Sequence, residues 1–356
     1  MKTIAFGVHS PAPYWNTIFE EIAKSQNLTV YYEHYYDSEK GWKDIRRFPG
    51  KYYKDLGPWK LMKDLVTYDY VILGGWYNKW NIVIAFYLFF NGRKFGFFSD
   101  YPEIKKRSFL NRALKKCLLT ICSNLFVACE AVRPYYVNNY NVNPSKVKLL
   151  HYCYSDIKDK ENLRLYNLQR DFELQHSSKI NLYIASRFIE RKGYQIVYKA
   201  FLMLKERGLL DNFHIVITGS GPLYDEYNAL FNDLHADIKM LGWVENSVYE
   251  KEMNKCDVYL HPSLHEPFGI PPLDAMARGK LLVASDGVQS TISILQDKVN
   301  GLVYKADSAE QLFNALFFLT NNRCDIYKIG KNGVKTVQDN YSKQHTVLDL
   351  NDVLQS

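Results

Sequence analysis

The stretch from His261 to Gly279 reads H-P-S-L-H-E-P-F-G-I-P-P-L-D-A-M-A-R-G. An apolar run, Cys256 to Leu260, leads into it as a buried strand. A helical pattern leaves it, with Leu273, Met276 and Ala277 on one face. Between them stand Glu266, Gly269, Pro271 and Pro272. Proline suits the first turn of a helix, where its missing N–H is no loss. The spacing therefore predicts a helix start at which Gly269 and Ile270 offer backbone N–H groups to phosphate or another anion. Glu266 lies just before this start, and Asp274 lies inside the first turns. Amides suit phosphate and carboxylates suit hydroxyls, so the stretch suits a polyhydroxylated, phosphorylated ligand. An acid at this point also serves as an ordinary cap or dipole partner, and for Glu266 alone both readings stand.

The rest of the chain alternates strands and helices. Lys2 to His9 reads as a strand, Trp15 to Ala23 as a helix with Ile18, Phe19 and Ile22 on one face, and Leu28 to Tyr32 as a strand. Further strands are expected at Tyr70–Gly74, Lys94–Ser99, Leu125–Ala128, Val147–His151, Ile180–Ala185, Phe213–Thr218, Ile238–Val244 and Leu281–Ala284. Few polar residues interrupt these strands, which implies parallel α/β sheets covered on both faces. Ligands of such sheets lie beyond the strand carboxyl ends. His9 to Tyr14, Asp100, and the loop Ser186 to Gly193 all fall there.

The chain has 356 residues, enough for two domains. Its charge is uneven. Residues 1–160 hold 24 basic and 14 acidic side chains, a net +10, against +7 for the whole, which leaves −3 for the remainder. A basic amino-terminal half suits an anionic partner, although a solvated surface explains it too. Trp42, Tyr52, Tyr53 and Trp59 alternate with Lys43, Arg46, Arg47, Lys51, Lys54, Lys60 and Lys63. Such mixtures bind saccharides, membrane faces or nucleic acid, but no nucleic-acid motif accompanies this one. Glu103 to Leu119 reads as a basic amphipathic helix with Phe109, Leu110, Leu114 and Leu118 apolar. It suits either an anionic membrane or packing on a sheet. The longest strongly apolar run, Ile82 to Phe90, is too short to span a bilayer. Six cysteines without metal-ligand spacing, and no signal peptide, point to a reducing cytoplasm. Gly219-Ser220-Gly221-Pro222 follows a strand but lacks the third glycine of a dinucleotide fingerprint.

Taken whole, the opening stretch resembles the donor-site signature E-x-F-G-x-x-x-x-E-A-M-A-x-G of retaining glycosyltransferases of the GT-B fold, family four. Glu266, Phe268, Gly269, Ala275, Met276, Ala277 and Gly279 match, and Asp274 stands where the family has glutamate. Ser186 to Gly193 resembles the family loop G-R-x-x-x-x-K-G, with serine in place of the first glycine. The resemblance is strong over residues 180–305 and weak in the first half. It implies two Rossmann-like domains facing a cleft. These are residues 1–160 for the acceptor, 161–335 for the donor, and 336–356 as a helix crossing back to the first domain.

It further implies transfer of a sugar from a nucleotide diphosphate donor, UDP- or GDP-linked, to an acceptor hydroxyl with retention. Glu266 binds the sugar hydroxyls and Asp274 the ribose. Arg187, Lys192 and the amides of Gly269 and Ile270 stabilise the leaving diphosphate. Gly219, Gly221, Trp243, Val244 and Phe268 line the nucleotide. Asp100 is the candidate acceptor-side base, an acid that equally caps the next helix, and His9 and Tyr14 lie on the acceptor side. No D-x-D motif is present, so neither a metal nor a cofactor is expected. The expected partners are a nucleotide-sugar and a saccharide or lipid-linked saccharide, with an anionic membrane surface as a further one. That setting suits bacterial polysaccharide or lipopolysaccharide synthesis at the inner membrane face. The same fold also serves nucleotide-sugar epimerases, sugar phosphorylases and non-catalytic sugar-nucleotide binders.

Overall fold

A computed structural model describes residues 1–35, 48–100, 108–176 and 178–355. Trp42, Lys43, Arg46 and Arg47, and likewise Glu103, Lys105, Lys106 and Arg107, lie outside them. The chain forms two compact units. One comprises Met1–Cys153 with Tyr341–Ser356, the other Tyr154–Asn340, so the division falls at Cys153 rather than at 160.

Among its described residues the first unit holds seven parallel strands: β1 (Thr3–Val8), β2 (Asn27–Tyr32), β3 (Gly50–Tyr52), β4 (Tyr70–Leu73), β5 (Phe95–Ser99), β6 (Asn124–Val127) and β7 (Val147–Leu149). Their order is β3-β2-β1-β4-β5-β6-β7. Strands β1, β4 and β5 are buried almost throughout, as an apolar run covered on both faces must be. Helix Pro13–Ala23 starts on a proline and buries Ile18, Phe19 and Ile22 against this sheet. The carboxyl-terminal segment joins this unit through Asp349, which accepts from the Leu149 N–H at 2.7 Å, and through Tyr341, whose ring meets His151.

The amphipathic helix runs from Phe109 to Ile121, and its faces are not the expected ones. Lys115 is 2% exposed, with its ammonium among the rings of Trp76, Tyr135, Tyr136 and Tyr140 at 4.5–5.3 Å. Cation–π attraction compensates part of the ammonium's lost hydration. Leu118 and Leu119 are buried beside it, while Phe109, Leu110 and Leu114 face outward. A helix wheel assigns lysine to water; four aromatic rings from other elements reverse that.

The second unit holds β8 (Ile180–Ala185), β9 (Phe213–Thr218), β10 (Ile238–Gly242), β11 (Val258–His261), β12 (Leu281–Ser285) and β13 (Leu302–Tyr304), all parallel, in the order β10-β9-β8-β11-β12-β13. Alternate residues Leu182, Ile184, Ile215, Ile217, Val258, Leu260, Leu281 and Val283 share one core with Val197, Phe201 and Leu204 of helix Tyr194–Glu206 and Leu312, Leu316 and Leu319 of helix Ala309–Asn321. The period of two is what a strand's pleat imposes. Tyr183 and Tyr259 are also buried, and their hydroxyls are bonded to Thr218 and to the Ala185 carbonyl. Ser308 caps helix Ala309–Asn321 by accepting from the Gln311 N–H, but the Gln311 side chain accepts from Lys305 N–H instead of closing a reciprocal box.

Candidate functional site

In the second sheet the chain runs outward from β8 to β9 and β10, then returns to lay β11 on the other side of β8. Strand order therefore reverses between β8 and β11. The loops leaving their carboxyl ends must diverge there, which opens a crevice. Those loops are Ser186–Gly193 and Pro262–Gly269. They are tied by the Leu264 N–H, which donates to the Arg191 carbonyl at 2.8 Å.

Glu266 and Lys192 meet in this crevice. The Lys192 ammonium donates to Glu266 Oε2. The same oxygen accepts from the Ser263 hydroxyl at 3.1 Å and lies 3.6 Å from both Arg191 Nη1 and His261 Nε2. Burial alone raises the Glu266 carboxyl, but hydrogen bonding toward His261 and the charge of Lys192 outweigh it and hold the group far below the usual carboxylate range. Burial also lowers Lys192, and Glu266 pulls it back up. Arg191 and Arg187 repel its ammonium as well. One carboxylate thus faces two cationic side chains of a single loop, with Arg187 of the same loop acting on Lys192, an excess of positive charge in a half-buried place.

Helix Ile270–Ala277 begins beside this group, with Gly269 as its cap residue and Pro271 in its first turn. Gly269 has φ +93°, and a Cβ there would come within 3.1 Å of Val288 Cγ1 and 3.2 Å of Glu266 Cγ, so this position requires glycine. Phe268 is buried, and its carbonyl accepts from the Ser290 N–H. Among the described residues the N–H groups of Gly269 and Ile270 have no hydrogen-bond partner, as the first groups of a helix require for anion binding.

The neighbouring loops close around the same end of the sheet. The Phe188 N–H donates to the Ser220 carbonyl at 3.0 Å, and the Gly219 N–H to the Gly242 carbonyl at 2.7 Å. Gly219 has φ +138°, and any Cβ would collide with the Ser186 carbonyl oxygen. A Cβ at Gly221 would likewise collide with the Phe188 carbonyl oxygen. Beyond Gly242, Trp243 is 60% exposed and Val244 half-buried.

Asp274 is bonded to protein groups of its own unit. It is 2% exposed. Its Oδ1 accepts from the Ser155 N–H at 2.6 Å, and its Oδ2 from the Ser155 hydroxyl at 3.2 Å and the Tyr249 hydroxyl at 2.8 Å. Arg278 Nη1 lies 3.7 Å from Oδ1. Its shorter side chain is spent on protein groups.

The first unit carries the remaining candidates at its own strand ends. Asp100 follows β5 and accepts from the Tyr152 hydroxyl at 2.7 Å. The Tyr152 ring packs edge-on against Tyr14 at 4.9 Å, so Asp100 and Tyr14 share one aromatic neighbour. His9 follows β1 and pairs with the buried Glu33, an acid that sequence reasoning passed over. His261, Ser263 and Arg191 around Glu266 were also passed over. His261 and Ser263 are near it in sequence, whereas the proximity of Arg191 goes with the Leu264–Arg191 tie, which no local pattern encodes.

The family glycosyl transferases group 1 matches residues 167–336. An uncharacterized glycosyltransferase of Methanocaldococcus jannaschii is 31% identical over 168 residues, 46% of this chain and 42% of the relative. The Campylobacter jejuni N-acetylgalactosamine-N,N'-diacetylbacillosaminyl-diphospho-undecaprenol 4-alpha-N-acetylgalactosaminyltransferase is 26% identical over 202 residues, 56% of this chain and 51% of the relative. The chain therefore spans about half the length of these curated relatives. Among solved structures, Anabaena HepE in complex with UDP superposes with a TM-score of 0.77 at 16% identity, covering 100% of both chains. Residues 167–336 therefore resemble the glycosyl transferases group 1, and the chain as a whole shares the GT-B fold.

Proposed function

We propose that this protein transfers a sugar from a nucleotide diphosphate donor to an acceptor hydroxyl, with retention at the anomeric carbon. The observation that carries the proposal is the gathering of Arg191 and Lys192 around Glu266, with Arg187 acting on Lys192, beside the start of helix Ile270–Ala277. When the bond from the anomeric carbon to the diphosphate oxygen breaks, negative charge grows on the diphosphate. Cations and helix amides already aimed at that place stabilise it without reorganising. Lys192 carries three N–H donors, so it can hold Glu266 and still reach phosphate. The ionised Glu266 carboxylate accepts hydrogen bonds from donor-sugar hydroxyls. The acceptor oxygen attacks on the face the diphosphate leaves, and its proton passes to a departing phosphate oxygen. These groups supply the charge that a metal supplies elsewhere, so transfer proceeds with chelator present.

The donor is a UDP- or GDP-sugar, a choice supported by the UDP held in the HepE structure. Gly219, Gly221, Trp243, Val244 and Phe268 border the nucleotide. Asp274 acts as a positioning residue, holding Tyr249 and Ser155. On the first unit, Asp100, Tyr14 and His9 serve the acceptor side. That acceptor is a lipid-linked or cell-surface saccharide, which the diphospho-undecaprenol in the Campylobacter relative's name supports. The first unit also exposes apolar side chains on helices Lys79–Phe90 and Phe109–Ile121. Phe90 is 80%, Phe109 83% and Leu110 77% exposed. Exposed Lys79, Arg112 and Lys116 lie on the same helices, a combination suited to an anionic bilayer surface at the inner face of the membrane. Among the described residues no helix is long and apolar enough to cross a membrane.

The test is a titration with UDP, GDP, ADP and TDP in EDTA. Selective binding of one nucleotide, weakened by Arg187→Ala and Lys192→Ala, is the expected result. A folded protein that binds none of them overturns the proposal.

A further inference from the structure

In the first sheet β1 lies beside β2 with Val8 opposite Tyr32. The pairing continues past both strands, for the Glu33 N–H donates to the Val8 carbonyl at 3.0 Å and the His34 N–H to the His9 carbonyl at 2.9 Å. This places His9, Glu33 and His34 together at the carboxyl end of the sheet. One ligand atom from each lies within 4.8 Å of the others. The two imidazoles are exposed, and their ring centroids are 4.6 Å apart. The Glu33 side chain is only 4% exposed.

The carboxylate is held from behind. Asn81, fully buried, donates through Nδ2 to Glu33 Oε1 at 2.7 Å and to the Gly75 carbonyl at 3.0 Å. The Asn81 carbonyl oxygen in turn accepts from the Tyr53 hydroxyl at 3.1 Å. This chain fixes which way the amide points and so fixes Oε1. The other oxygen, Oε2, faces His9 Nδ1 at 3.5 Å. An outer partner that orients a ligating carboxylate is half of what a metal site needs. Buried carboxylates are paired or coordinate metals.

We propose that His9, Glu33 and His34 bind one divalent cation of borderline softness, with Zn²⁺ as its best representative. Two imidazoles and one carboxylate form a ligand set for that ion, with bonds of about 2.0–2.2 Å. Tetrahedral ligands at that distance stand roughly 3.3–3.5 Å apart. The His9–Glu33 separation of 3.5 Å already fits. His34 closes the remainder by rotating an exposed side chain through about an ångström. The fourth position opens to solvent, where water or an oxygen of a ligand completes the set. The site lies in the first unit and draws on none of the groups around Glu266, and it shares His9 with the acceptor side of the transferase proposal.

The test uses the full chain carrying Cys117→Ser and Cys324→Ser, because those two cysteines are exposed and thiolates are zinc ligands. Zn²⁺ alone is titrated against a chromogenic chelator, and its ligands are read by X-ray absorption. The expected result is one tight ion per chain with imidazole and oxygen ligands. His9→Ala and His34→Ala, both surface changes that leave the fold intact, weaken it at least tenfold each. Glu33→Gln, with folding checked by circular dichroism, abolishes it. Absence of binding at tens of micromolar free Zn²⁺, or binding unchanged in the His9→Ala/His34→Ala double variant, overturns the proposal. Because the readout is the metal alone, a failure here leaves nucleotide binding and transfer untouched.

Discussion

The Asp274 carboxylate takes both polar groups of Ser155, its N–H at 2.6 Å and its hydroxyl at 3.2 Å. A residue of helix Ile270–Ala277 thereby secures the chain immediately after Cys153, where the second unit begins. Asp274→Ala strands the Ser155 N–H, the Tyr249 hydroxyl and Arg278 in a buried place. We expect it to destabilise the second unit by about 2–4 kcal/mol, read as a lower urea midpoint at unchanged slope. Asp274→Glu restores the residue usual in the family but adds a methylene to a filled site, at a cost of about 1–3 kcal/mol. A Glu variant that is both as stable and more active than the parent contradicts this assignment.

Glu266→Gln keeps the side chain's shape but removes its charge. Under the proposed mechanism it lowers turnover by about 10²–10³-fold. Affinity for the nucleotide diphosphate alone changes little, because the carboxylate is assigned to the sugar. Calorimetry with the nucleotide and steady-state assays with the nucleotide-sugar separate the two. Equal losses in both would move Glu266 to the nucleotide.

Gly219→Ala sets a Cβ against the Ser186 carbonyl at a φ that side chains rarely adopt. The loop that carries Arg187 must then shift. We expect nucleotide affinity to fall at least tenfold while the core of the second unit stays folded, as judged by circular dichroism and nucleotide titration together. Unchanged affinity would show that this close approach is not needed for the site.

His151 is buried between the end of β7 and the returning segment, near Thr346 and Tyr341. Burial pushes its imidazole down to about 4. The unfolded chain holds this proton near pH 6.5, so between these values the unfolded state binds more protons and stability rises with pH. The contribution is complete above pH 6.5 and is lost as pH falls toward 4. By pH 5 the loss is roughly 2 kcal/mol. Comparing urea midpoints of the parent and His151→Gln at pH 7 and pH 5 isolates it. The parent should lose more stability than the variant, and equal losses would refute a neutral buried His151.

Phe90→Glu with Phe109→Glu places two charges on the exposed apolar helices of the first unit. We expect binding to vesicles of anionic phospholipid, measured by co-sedimentation at low salt, to fall several-fold while nucleotide binding stays constant. Parent protein that ignores anionic vesicles would remove the membrane from the proposal.

Much of this molecule is legible in its sequence because the deciding signals are local. Apolar runs bounded by polar loops mark Ile180–Ala185, Phe213–Thr218 and Val258–His261 as strands of a parallel sheet. Proline, glycine and the spacing of Leu273, Met276 and Ala277 mark the helix start beside Glu266. Arg187 and Lys192 are identifiable because one loop carries both. What the sequence could not specify is which side chains from distant elements share a buried place. Lys115 looks like a solvent residue until four rings enclose it. Asp274 accepts from Ser155, 119 positions earlier, a pairing that no local pattern encodes. His9, Glu33 and His34 come together only because β1 and β2 pair in parallel and continue past their ends. The periodicity of a sequence reports the average environment of a face. The electrostatics of a single buried group depend most on the few groups within about 4–6 Å of it, and only the packed structure sets those.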